Sequence, residues 1–470
     1  MIGKVRSTVE KIIVNRSIDR LKESQLRNLS LWGLSVNDQN SISIGSTDIS
    51  ALLNIYGSPL FVVNKEQLIR DACSIQNAVK RVGRGSKVLY SYKTNCIPGI
   101  LKEIHSTGIG AEVISPYELW LAEKMNIPGK EIVYNGVNKN EESLVRAIEL
   151  DIFAINIDCL NEIERIATVA RRLKRKVRVG IRLGFISKAQ FGLEIESGEA
   201  MEACKRIASL SDCLEMTSIH FCVASNARNS ATHKHFVVKS LNFMQAVKHQ
   251  TGLRVSYLDI GGGIGVPTTK NMSGSEYGLY RLFGCLPAPP DPKDYEEIDS
   301  FIDNIDSTVK NTCVKLNMDP PGLIFEPGRF VSSRAEFLLS TVLDIKNKNC
   351  GTRFAITDAG RLSTTFPCDF EYHEIFTADQ IPRKNNAVYN IMGRICTSAD
   401  WMAKNRLMPE LRENDVLVTM DAGAYFSSYS TNFGFPRPAV IMVTDTGSEL
   451  LRSAETYEHL TGLDTIMNKC

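Results

Sequence analysis

The sequence lacks a strong excess of charge, a long apolar run and any closely spaced pair of cysteines. Its 470 residues carry a net charge of +2, too little for the broad positive surface that nucleic acids attract. No apolar run approaches the roughly 20 residues of a membrane span. The twelve cysteines are scattered singly, with no C-x-x-C pair, which argues against a disulfide framework and a zinc site. We therefore expect no nucleic acid or membrane partner and no metal.

The first residues, "MIGKVRSTVEKIIVNRSIDRLKE", mix charge with short apolar pieces and contain no continuous apolar segment of the secretory kind. Together with the scattered cysteines, this predicts a cytoplasmic protein. Residues 1–40 fit neither of the domains described next, and we interpret them as a helical N-terminal extension.

From about residue 59, short β-rich segments alternate with amphipathic helical runs such as "NEIERIATVARRLK". Strand–helix units repeated over roughly 250 residues fit a (β/α)8 TIM barrel better than an open doubly wound sheet. Periodicity alone leaves the open sheet as an alternative. The candidate strands are, in order, "PLFVV", "KVLYSY", "GAEVIS", "EIVYNG", "IFAINI", "KVRVGIRL", "LEMTSIHF", "VSYLDIG" and "GLIFEPG".

After residue 331 the helical alternation gives way to strand-like segments such as "FLLSTVLDIKNK" and "DVLVTMDAGAY". We therefore predict a barrel over residues 59–331 and a second, β-rich domain over residues 332–470. Within the barrel, residues 265–291 hold several Gly and Pro residues and include "PAPPDP", which indicates an insertion that is either a lid or an inert surface loop.

In a TIM barrel, functional residues lie at the carboxyl ends of the strands. Lys93 ends "VLYSYK", a position that suits an ordinary surface lysine as well as a catalytic one. The glycines after "LDI" can surround a phosphate with backbone N–H groups or simply form a tight turn. Arg329, in "FEPGRF", suits a phosphate contact or a surface ion pair. Other polar residues at strand ends are Glu112, Arg182, His220 and Glu326.

A lysine, a phosphate-binding loop, a flat imidazole and an acid are together the groups that hold pyridoxal phosphate. The amine attaches to the cofactor aldehyde, glycine amides bind the phosphate, and the imidazole packs on the pyridine ring. A carboxylate keeps the ring nitrogen protonated, so that the ring can accept electrons from the α-carbon of a substrate. The sequence therefore predicts pyridoxal 5'-phosphate as the cofactor.

Nine motifs in the same order resemble those of the fold-type III pyridoxal phosphate decarboxylases, a family that includes the diaminopimelate and ornithine decarboxylases. The resemblance extends over residues 48–448. It implies an alanine racemase-like barrel followed by a β-barrel domain that residues 41–58 join, and a homodimer with shared active sites. The motifs are "YSYKTN", "AEVIS" with "YEL", "SIHF", "LDIGGGIG", "PAPPDPKDYEEI", "FEPGRF", "GRICTSAD", "DAGAY" and "FGFPRPA".

By this resemblance Lys93 is the lysine that attaches to the cofactor, His220 stacks on its ring, and Glu326 contacts the ring nitrogen. Cys396, in "GRICTSAD", corresponds to the cysteine that enters the neighbouring subunit's site and protonates the product carbon. The further residues that the resemblance places around the phosphate and ring are Gly261, Gly262, Gly263, Gly328, Arg329, Tyr425, Glu112 and Arg182.

The chain departs from this family where the substrate's distal end would bind. Relatives that bind a distal amino group have an acid after the catalytic cysteine, whereas this chain has Thr397, which carries no charge. Diaminopimelate decarboxylases have an Arg-Pro pair and a later tyrosine for the distal carboxylate. Here the pair is Phe366-Pro367 and the later residue is Phe370.

Asp358 and Asp400 remain as acidic candidates for substrate contact beside Thr397, while Arg361 is out of register with the missing arginine. The turn after the stacking histidine is "HFCVAS", which displaces the family's serine to Ser225.

We predict a decarboxylase of an amino acid or amino-acid-containing intermediate with a neutral or bulky distal end. A conjugated or carrier-tethered amino acid of specialised metabolism fits this description. The alternatives are a diaminopimelate decarboxylase of lysine biosynthesis, a racemase or epimerase on the same scaffold, and a non-catalytic regulatory homologue. A racemase needs a second base, and a silent homologue would usually lose residues such as Lys93 and Glu326, which are present here.

Overall fold

The computed structural model describes residues 15–16, 18, 28–186, 189–364 and 367–465. Most of the predicted N-terminal extension therefore lies outside the described residues, as does Phe366. The described residues form two compact units. One lies within Met1–Leu68, Val266–Asp294 and Ser332–Cys470, and the other comprises Ile69–Gly265 and Tyr295–Val331.

Strands are numbered here in chain order through the described part of the protein. They are β1 Ser35–Val36, β2 Ile42–Ile44, β3 Thr47–Asp48, β4 Leu60–Asn64, β5 Lys87–Ser91, β6 Gly110–Val113, β7 Ile132–Tyr134, β8 Ala154–Ile157, β9 Val177–Arg182, β10 Leu214–His220, β11 Tyr257–Asp259, β12 Lys270–Asn271, β13 Gly322–Phe325, β14 Glu336–Asn347, β15 Arg353–Thr357, β16 Glu371–Tyr372, β17 Ile375–Thr377, β18 Ala387–Met392, β19 Trp401–Met408, β20 Val416–Thr419, β21 Ala439–Thr444 and β22 Gly447–Arg452.

The α-helices of the described residues connect these strands or follow them. They are Leu52–Tyr56, Lys65–Val82, Pro98–Ser106, Pro116–Lys124, Glu141–Glu149, Leu160–Arg172, Glu199–Ser209, Ala231–Thr251, Gly274–Phe283, Ile298–Leu316, Arg329–Ser332, Arg361–Thr364, Pro367–Phe370, Phe426–Tyr429 and Tyr457–Thr461. In this set, no helix is long and apolar enough to cross a membrane.

The second unit is a closed parallel barrel with the strand order β5-β6-β7-β8-β9-β10-β11-β13, and β13 pairs with β5 to close it. Short apolar strands such as β8 are buried throughout, as expected where helices cover the outside of a parallel sheet. In the helix Leu160–Arg172, Ile163, Ile166 and Val169 are buried at helical spacing. The predicted TIM barrel is confirmed.

The first unit is dominated by a nine-stranded sheet. Its main path runs β19-β18-β15-β14-β4-β21-β22, and β20 pairs with both β14 and β17. The buried core of this unit includes Trp32, Phe337 and Ile441. The predicted β-rich domain after the barrel is thus present as a sheet that also takes in strands from other parts of the chain.

The segment "PLFVV" is not a barrel strand, contrary to the sequence prediction. As β4 it pairs antiparallel with β14 and parallel with β21. All five residues of β4 are buried, and such a continuous apolar run looks the same in a parallel barrel as in the middle of another sheet. The predicted start of the barrel at residue 59 is corrected accordingly.

The segment predicted as an insertion within the barrel, residues 265–291, also groups almost entirely with the first unit. It contains β12, which pairs with β16, and the helix Gly274–Phe283, which starts with a capping box between Ser273 and Glu276. The Asn405 side chain donates a hydrogen bond to the carbonyl of Gly284 at 3.0 Å. The Gly and Pro residues of this segment therefore flank a strand and a helix, rather than forming an irregular loop.

Candidate active site at the carboxyl ends of the barrel strands

The residues predicted from strand ends lie at one rim of the barrel. Lys93 is in the short turn Tyr92–Thr94 directly after β5, and Glu112 is in β6. Arg182 and His220 are the last residues of β9 and β10 and lie opposite each other in the strand register. Glu326 directly follows β13. Because parallel strands end at the same rim, five distant sequence segments contribute to one site.

An imidazole and two acids form the centre of this rim. Nε2 of His220 lies 3.3 Å from Oε2 of Glu326. One ring nitrogen of His220 and one carboxylate oxygen each of Asp259 and Glu326 all lie within 4.8 Å of one another. All three side chains are buried. Asp259, the last residue of β11, was missed by the sequence analysis because it was read as part of the strand leading to the glycines.

The two carboxyl groups have opposite pKa shifts. Burial raises the pKa of Asp259 well above its ordinary value, and the nearby Glu326 carboxylate raises it further. Burial would also raise the pKa of Glu326, but electrostatic attraction to His220 and Lys93 and hydrogen bonds from His220 and Asp259 outweigh it. The pKa of Glu326 falls to about 2. The pair therefore keeps one proton on Asp259 and one negative charge on Glu326.

Asn135 connects two acids, Glu112 in β6 and Glu326 after β13, and was also missed from the sequence. Its Nδ2 donates to Oε1 of Glu112 at 2.9 Å and to Oε1 of Glu326 at 2.7 Å. Asn156 donates in turn to Oδ1 of Asn135 at 2.8 Å, and the hydroxyl of Ser91 donates to Oε2 of Glu112 at 2.5 Å. This buried network fixes the Glu326 carboxylate, since each contact uses a directed hydrogen bond.

The loop Gly261–Gly263 packs too closely for side chains. A Cβ on Gly261 would lie 2.4 Å from the Phe221 carbonyl oxygen, and one on Gly263 would lie 2.2 Å from that of Ala224. Both glycines also have positive φ angles, of 66° and 83°. Nε2 of the buried His233 lies 3.0 Å from the carbonyl oxygen of Gly262, which can only accept a hydrogen bond. His233, which had no predicted role, therefore holds this loop.

Arg182 presents a donor without a partner. Its Nε is buried and makes no hydrogen bond among the described residues, while its Nη1 lies 3.7 Å from Oδ1 of Asp158. The guanidinium packs 4.4 Å above the ring of Phe191. The backbone N–H of Asp158 donates a hydrogen bond to the Glu162 carboxylate. Glu162 in turn forms an ion pair with the buried Lys139 at 3.2 Å. A rigidly held guanidinium with an unused N–H suits a ligand that brings an acceptor oxygen.

The remaining barrel residues predicted for the cofactor lie beside β13 and β5. A Cβ on Gly328 would come within 1.9 Å of the Thr94 hydroxyl, so the backbone after Glu326 passes directly over the turn that carries Lys93. Arg329 is buried and begins the short helix Arg329–Ser332. Glycine at this crossing thus keeps the lysine turn and the Glu326 segment in contact.

These features fit pyridoxal phosphate. Nδ1 of His220 is buried without a hydrogen-bond partner among the described residues, as expected for a ring used as a flat packing surface. Glu326 would supply the anion for a protonated ring nitrogen, and the tight glycine loop would supply backbone amides for a phosphate. The spacing of His220, Asp259 and Glu326 would also suit a metal ion, but a protonated Asp259 is a poor ligand, since metals require the carboxylate.

Glu118, in the "YEL" motif, is a second acid with a raised pKa near Lys93. Its Oε2 accepts a hydrogen bond from the Ile114 amide at 2.7 Å. Burial and the charge of Glu112 raise its pKa to about 7, against the lowering effects of this hydrogen bond and of Lys93. Glu118 is thus protonated over part of the neutral range.

The predicted substrate residues all belong to the first unit. Asp400 is buried, and its two carboxylate oxygens accept the backbone N–H groups of Arg361 at 2.6 Å and Ile395 at 2.8 Å. Asp358 accepts the Thr341 amide at 2.9 Å, and burial raises its pKa. Both acids therefore hold loop backbone, which counts against their predicted contact with substrate.

Cys396 and Thr397, in the loop held by Asp400, are both exposed in the single chain. Tyr425 has a positive φ of 74° and precedes the helix Phe426–Tyr429. Arg361, the residue near the missing family arginine, forms an ion pair with Asp369, so its charge is already compensated within its own segment.

Comparison with known proteins identifies the family. A model of the pyridoxal binding domain of pyridoxal-dependent decarboxylases matches residues 66–333. The diaminopimelate decarboxylase of Methanocaldococcus jannaschii is 28% identical over 444 residues, covering 90% of this chain and 94% of that protein. The diaminopimelate decarboxylase of Aquifex aeolicus is 27% identical over 432 residues, covering 89% and 94% respectively.

The solved structures give the same result. The crystal structure of the M. jannaschii diaminopimelate decarboxylase in complex with L-lysine matches with a TM-score of 0.80 and 27% identity, over 92% of this chain and 97% of that chain. A lysine/ornithine decarboxylase from Vibrio vulnificus, at 21% identity and a TM-score of 0.68 over 84% of this chain and 95% of that chain, shares the fold.

Because the matched domain spans more than half of the chain, the chain belongs to the pyridoxal-dependent decarboxylase family. Its cofactor is pyridoxal phosphate, and it is a pyridoxal phosphate-dependent carboxy-lyase of amino acids. The predicted family, cofactor and reaction class are confirmed. These relatives lend no support to the racemase or to the non-catalytic alternative.

We predict that Asn135→Ala weakens cofactor binding by roughly tenfold to a hundredfold, because it removes hydrogen bonds to two buried carboxylates. Asn135→Asp should weaken it further, since a third carboxylate would face Glu112 and Glu326. Titration of the cofactor-free variants with pyridoxal phosphate, followed by visible absorbance, measures both effects. Asn138→Ala, an exposed neighbour in the same segment, should bind like the unmodified protein. Equal binding by all four proteins would contradict the role given to Asn135.

We predict that Glu118→Gln alters the pH dependence of stability. Between pH 4.5 and 7 the folded chain holds a proton on Glu118 that the unfolded chain releases. This contribution to stability is complete below pH 4.5 and is lost as the pH rises through 7, a total of about 3 kcal/mol. Urea unfolding from pH 5 to 8 should therefore show a steeper decline for the unmodified protein than for Glu118→Gln. The exposed control Glu149→Gln should follow the unmodified protein; parallel curves for all three would refute the shift.

Proposed function

We propose that this chain removes a carboxyl group from diaminopimelate to give lysine. The observation that carries this proposal is similarity over nearly the whole chain to diaminopimelate decarboxylases, which recurs in both the curated relatives and the solved structures. This favours one of the alternatives from the sequence over its main prediction, a conjugated substrate of specialised metabolism.

The barrel residues have complementary roles in this reaction. When bound, pyridoxal phosphate supplies a ring that accepts the electron pair left as the carboxylate departs. Lys93 would hold the cofactor aldehyde and release it to the substrate amine. Glu326 would keep a negative charge at the ring nitrogen, a role that its low pKa and its contacts with His220 and Asn135 support.

The other barrel residues would position the cofactor. Amides of Gly261, Gly262 and Gly263, with Gly328 and Arg329, would bind the phosphate, and Tyr425 is proposed beside them from its motif. His220 would pack on the ring. The unpaired Nε of Arg182 supports a contact with a cofactor oxygen, while Glu112 would act through Asn135 as a positioning residue.

We further propose that the enzyme is a homodimer in which Cys396 of one subunit returns a proton to the α-carbon in the other subunit's site. The exposure of Cys396 and Thr397 in the single chain supports this, because the loop leaves the thiol accessible to a second copy. Both Asp400 oxygens hold the loop backbone, which would limit the thiol to a narrow range of positions.

A conjugated or carrier-tethered amino acid is the second candidate substrate. Thr397 favours it, because a neutral side chain follows the proposed catalytic cysteine where a distal ammonium would gain from an acid. The replacement of Arg-Pro by Phe366-Pro367 points the same way in sequence, although Phe366 lies outside the described residues.

A cytoplasmic location is also part of the proposal. The cysteines of the described residues are free thiols, which supports a reducing compartment.

We predict that the purified, cofactor-loaded protein releases carbon dioxide from diaminopimelate at a higher kcat/KM than from lysine, ornithine or a conjugated amino acid. Lys93→Ala should release none, since it lacks the attaching amine, while Lys102→Ala, an exposed lysine, should keep full activity. Measuring carbon dioxide with each substrate tests the proposal. Release from the conjugate alone would replace diaminopimelate with the second candidate, and no release from any substrate would refute both.

Mixing inactive variants tests the shared site. If Lys93 and Cys396 act from different subunits, an equal mixture of Lys93→Ala and Cys396→Ala protomers should recover about a quarter of full activity, because half of the dimers then contain one intact site of two. A mixture of Lys93→Ala and Glu326→Gln is the control and should recover nothing, since both residues would serve the same subunit's site. No recovery in the first mixture after verified subunit exchange would contradict the arrangement.

A further inference from the structure

A cavity of about 460 Å³ lies at the amino-terminal end of the barrel strands. Tyr257 and Gly322, the first residues of β11 and β13, line it together with the segments that lead into these strands. Chemistry in TIM barrels takes place at the carboxyl ends of the strands, so this cavity is separate from the site of Lys93 and Glu326. Its volume is within the range of small-molecule sites, about 300–1,000 Å³.

The cavity is lined by three cations and one acid. Arg84, Lys248 and Arg254 contribute positive charge, and Asp319 contributes the negative charge. Lys248 and Arg254 are exposed, and neither forms an ion pair or side-chain hydrogen bond with any described residue. The positive charge at this wall is therefore not compensated within the part of the chain that the structure describes.

Arg84 is already paired within the protein, whereas Tyr257 has an unused hydroxyl. Nε of Arg84 donates to the carbonyl of Pro321 at 3.0 Å, and its Nη2 lies 2.5 Å from Oδ1 of Asp306. The ring of Tyr257 packs edge-on against Phe153 at 5.0 Å, while its hydroxyl has no hydrogen-bond partner among the described residues. Pro320 and Pro321 also line the cavity and stiffen its backbone. A held phenol beside two uncompensated cations is suited to an oxygen-rich anion.

We propose that this cavity binds a small anion with more than one negative charge, either a polycarboxylate or a phosphate compound. Lys248 and Arg254 pair with the anionic oxygens, and the Tyr257 hydroxyl donates a hydrogen bond to one of them. A single charge would leave one of the two cations uncompensated, so multivalent anions bind more tightly than monovalent ones. This site is independent of the substrate of the decarboxylase.

Calorimetric titration of the cofactor-loaded enzyme tests the proposal, with citrate and inorganic phosphate as probes at an ionic strength kept constant with sodium chloride. Filling the cofactor site beforehand keeps phosphate from binding there. We expect saturable binding of one probe per chain. Tighter citrate binding identifies a polycarboxylate ligand, and tighter phosphate binding identifies a phosphate compound; both results support the proposal.

Variants locate the binding. Lys248→Gln combined with Arg254→Gln should weaken binding by about a hundredfold, given roughly tenfold for each charge-assisted contact, and Tyr257→Phe should weaken it about fivefold while keeping the ring. Lys205→Gln combined with Arg175→Gln removes the same charges from exposed positions elsewhere in the unit and should leave binding unchanged. The proposal is overturned if neither probe saturates, or if the two double variants behave alike. Retained visible cofactor absorbance shows that each variant is folded.

Discussion

The negative charge on Glu326 is the constraint around which the barrel interior is arranged. An isolated carboxylate in such a buried position would take up a proton, because the interior solvates charge poorly. His220, Lys93 and the Asn135 amide reverse that tendency, and Asp259 takes the proton instead. Asp259 therefore adds no negative charge to that of Glu326 at the place where a protonated ring nitrogen would bind.

Holding this charge requires several strands at once. Asn135 follows β7, Asn156 is in β8, and Glu112 is in β6, so the hydrogen bonds cross the inside of the barrel between neighbouring strands. Gly180 in β9 makes room for them: a Cβ there would lie 2.0 Å from Oδ1 of Asn156 and 2.4 Å from the Ser218 hydroxyl. The polar layer thus depends on residues that take no part in the chemistry.

The barrel and several residues at its rim could be predicted from the sequence, whereas the hydrogen bonds below the rim could not. Strand ends and ordered motifs predicted Lys93, His220 and Glu326, because position along a parallel strand determines which rim a side chain reaches. Asp259 was missed because it was read as part of the strand leading to the glycines, and Asn135 because no family motif covers it; its position directly after the apolar "IVY" was the available signal. The strand β4 was assigned to the barrel because a strand buried on both faces has the same apolar sequence in a parallel barrel and in the middle of another sheet. The hydrogen bonds from loop backbone to Asp400 were also not foreseen, because sequence does not reveal such contacts; its contact with substrate stays a prediction.

The strand β11 ends at Asp259, and β13 ends one residue before Glu326. The first residues of the two strands, Tyr257 and Gly322, line the cavity at the other end of the barrel. The strands are only three and four residues long, about 10–13 Å, and pair directly with each other. A displacement of the backbone at Tyr257 or Gly322 would therefore also displace Asp259 or Glu326, because so few residues separate the two ends of each strand. Over evolutionary time, the cavity is consequently free to change its side chains but not the course of its main chain, and inserted or deleted residues there should be tolerated far less than at other turns on the same end of the barrel.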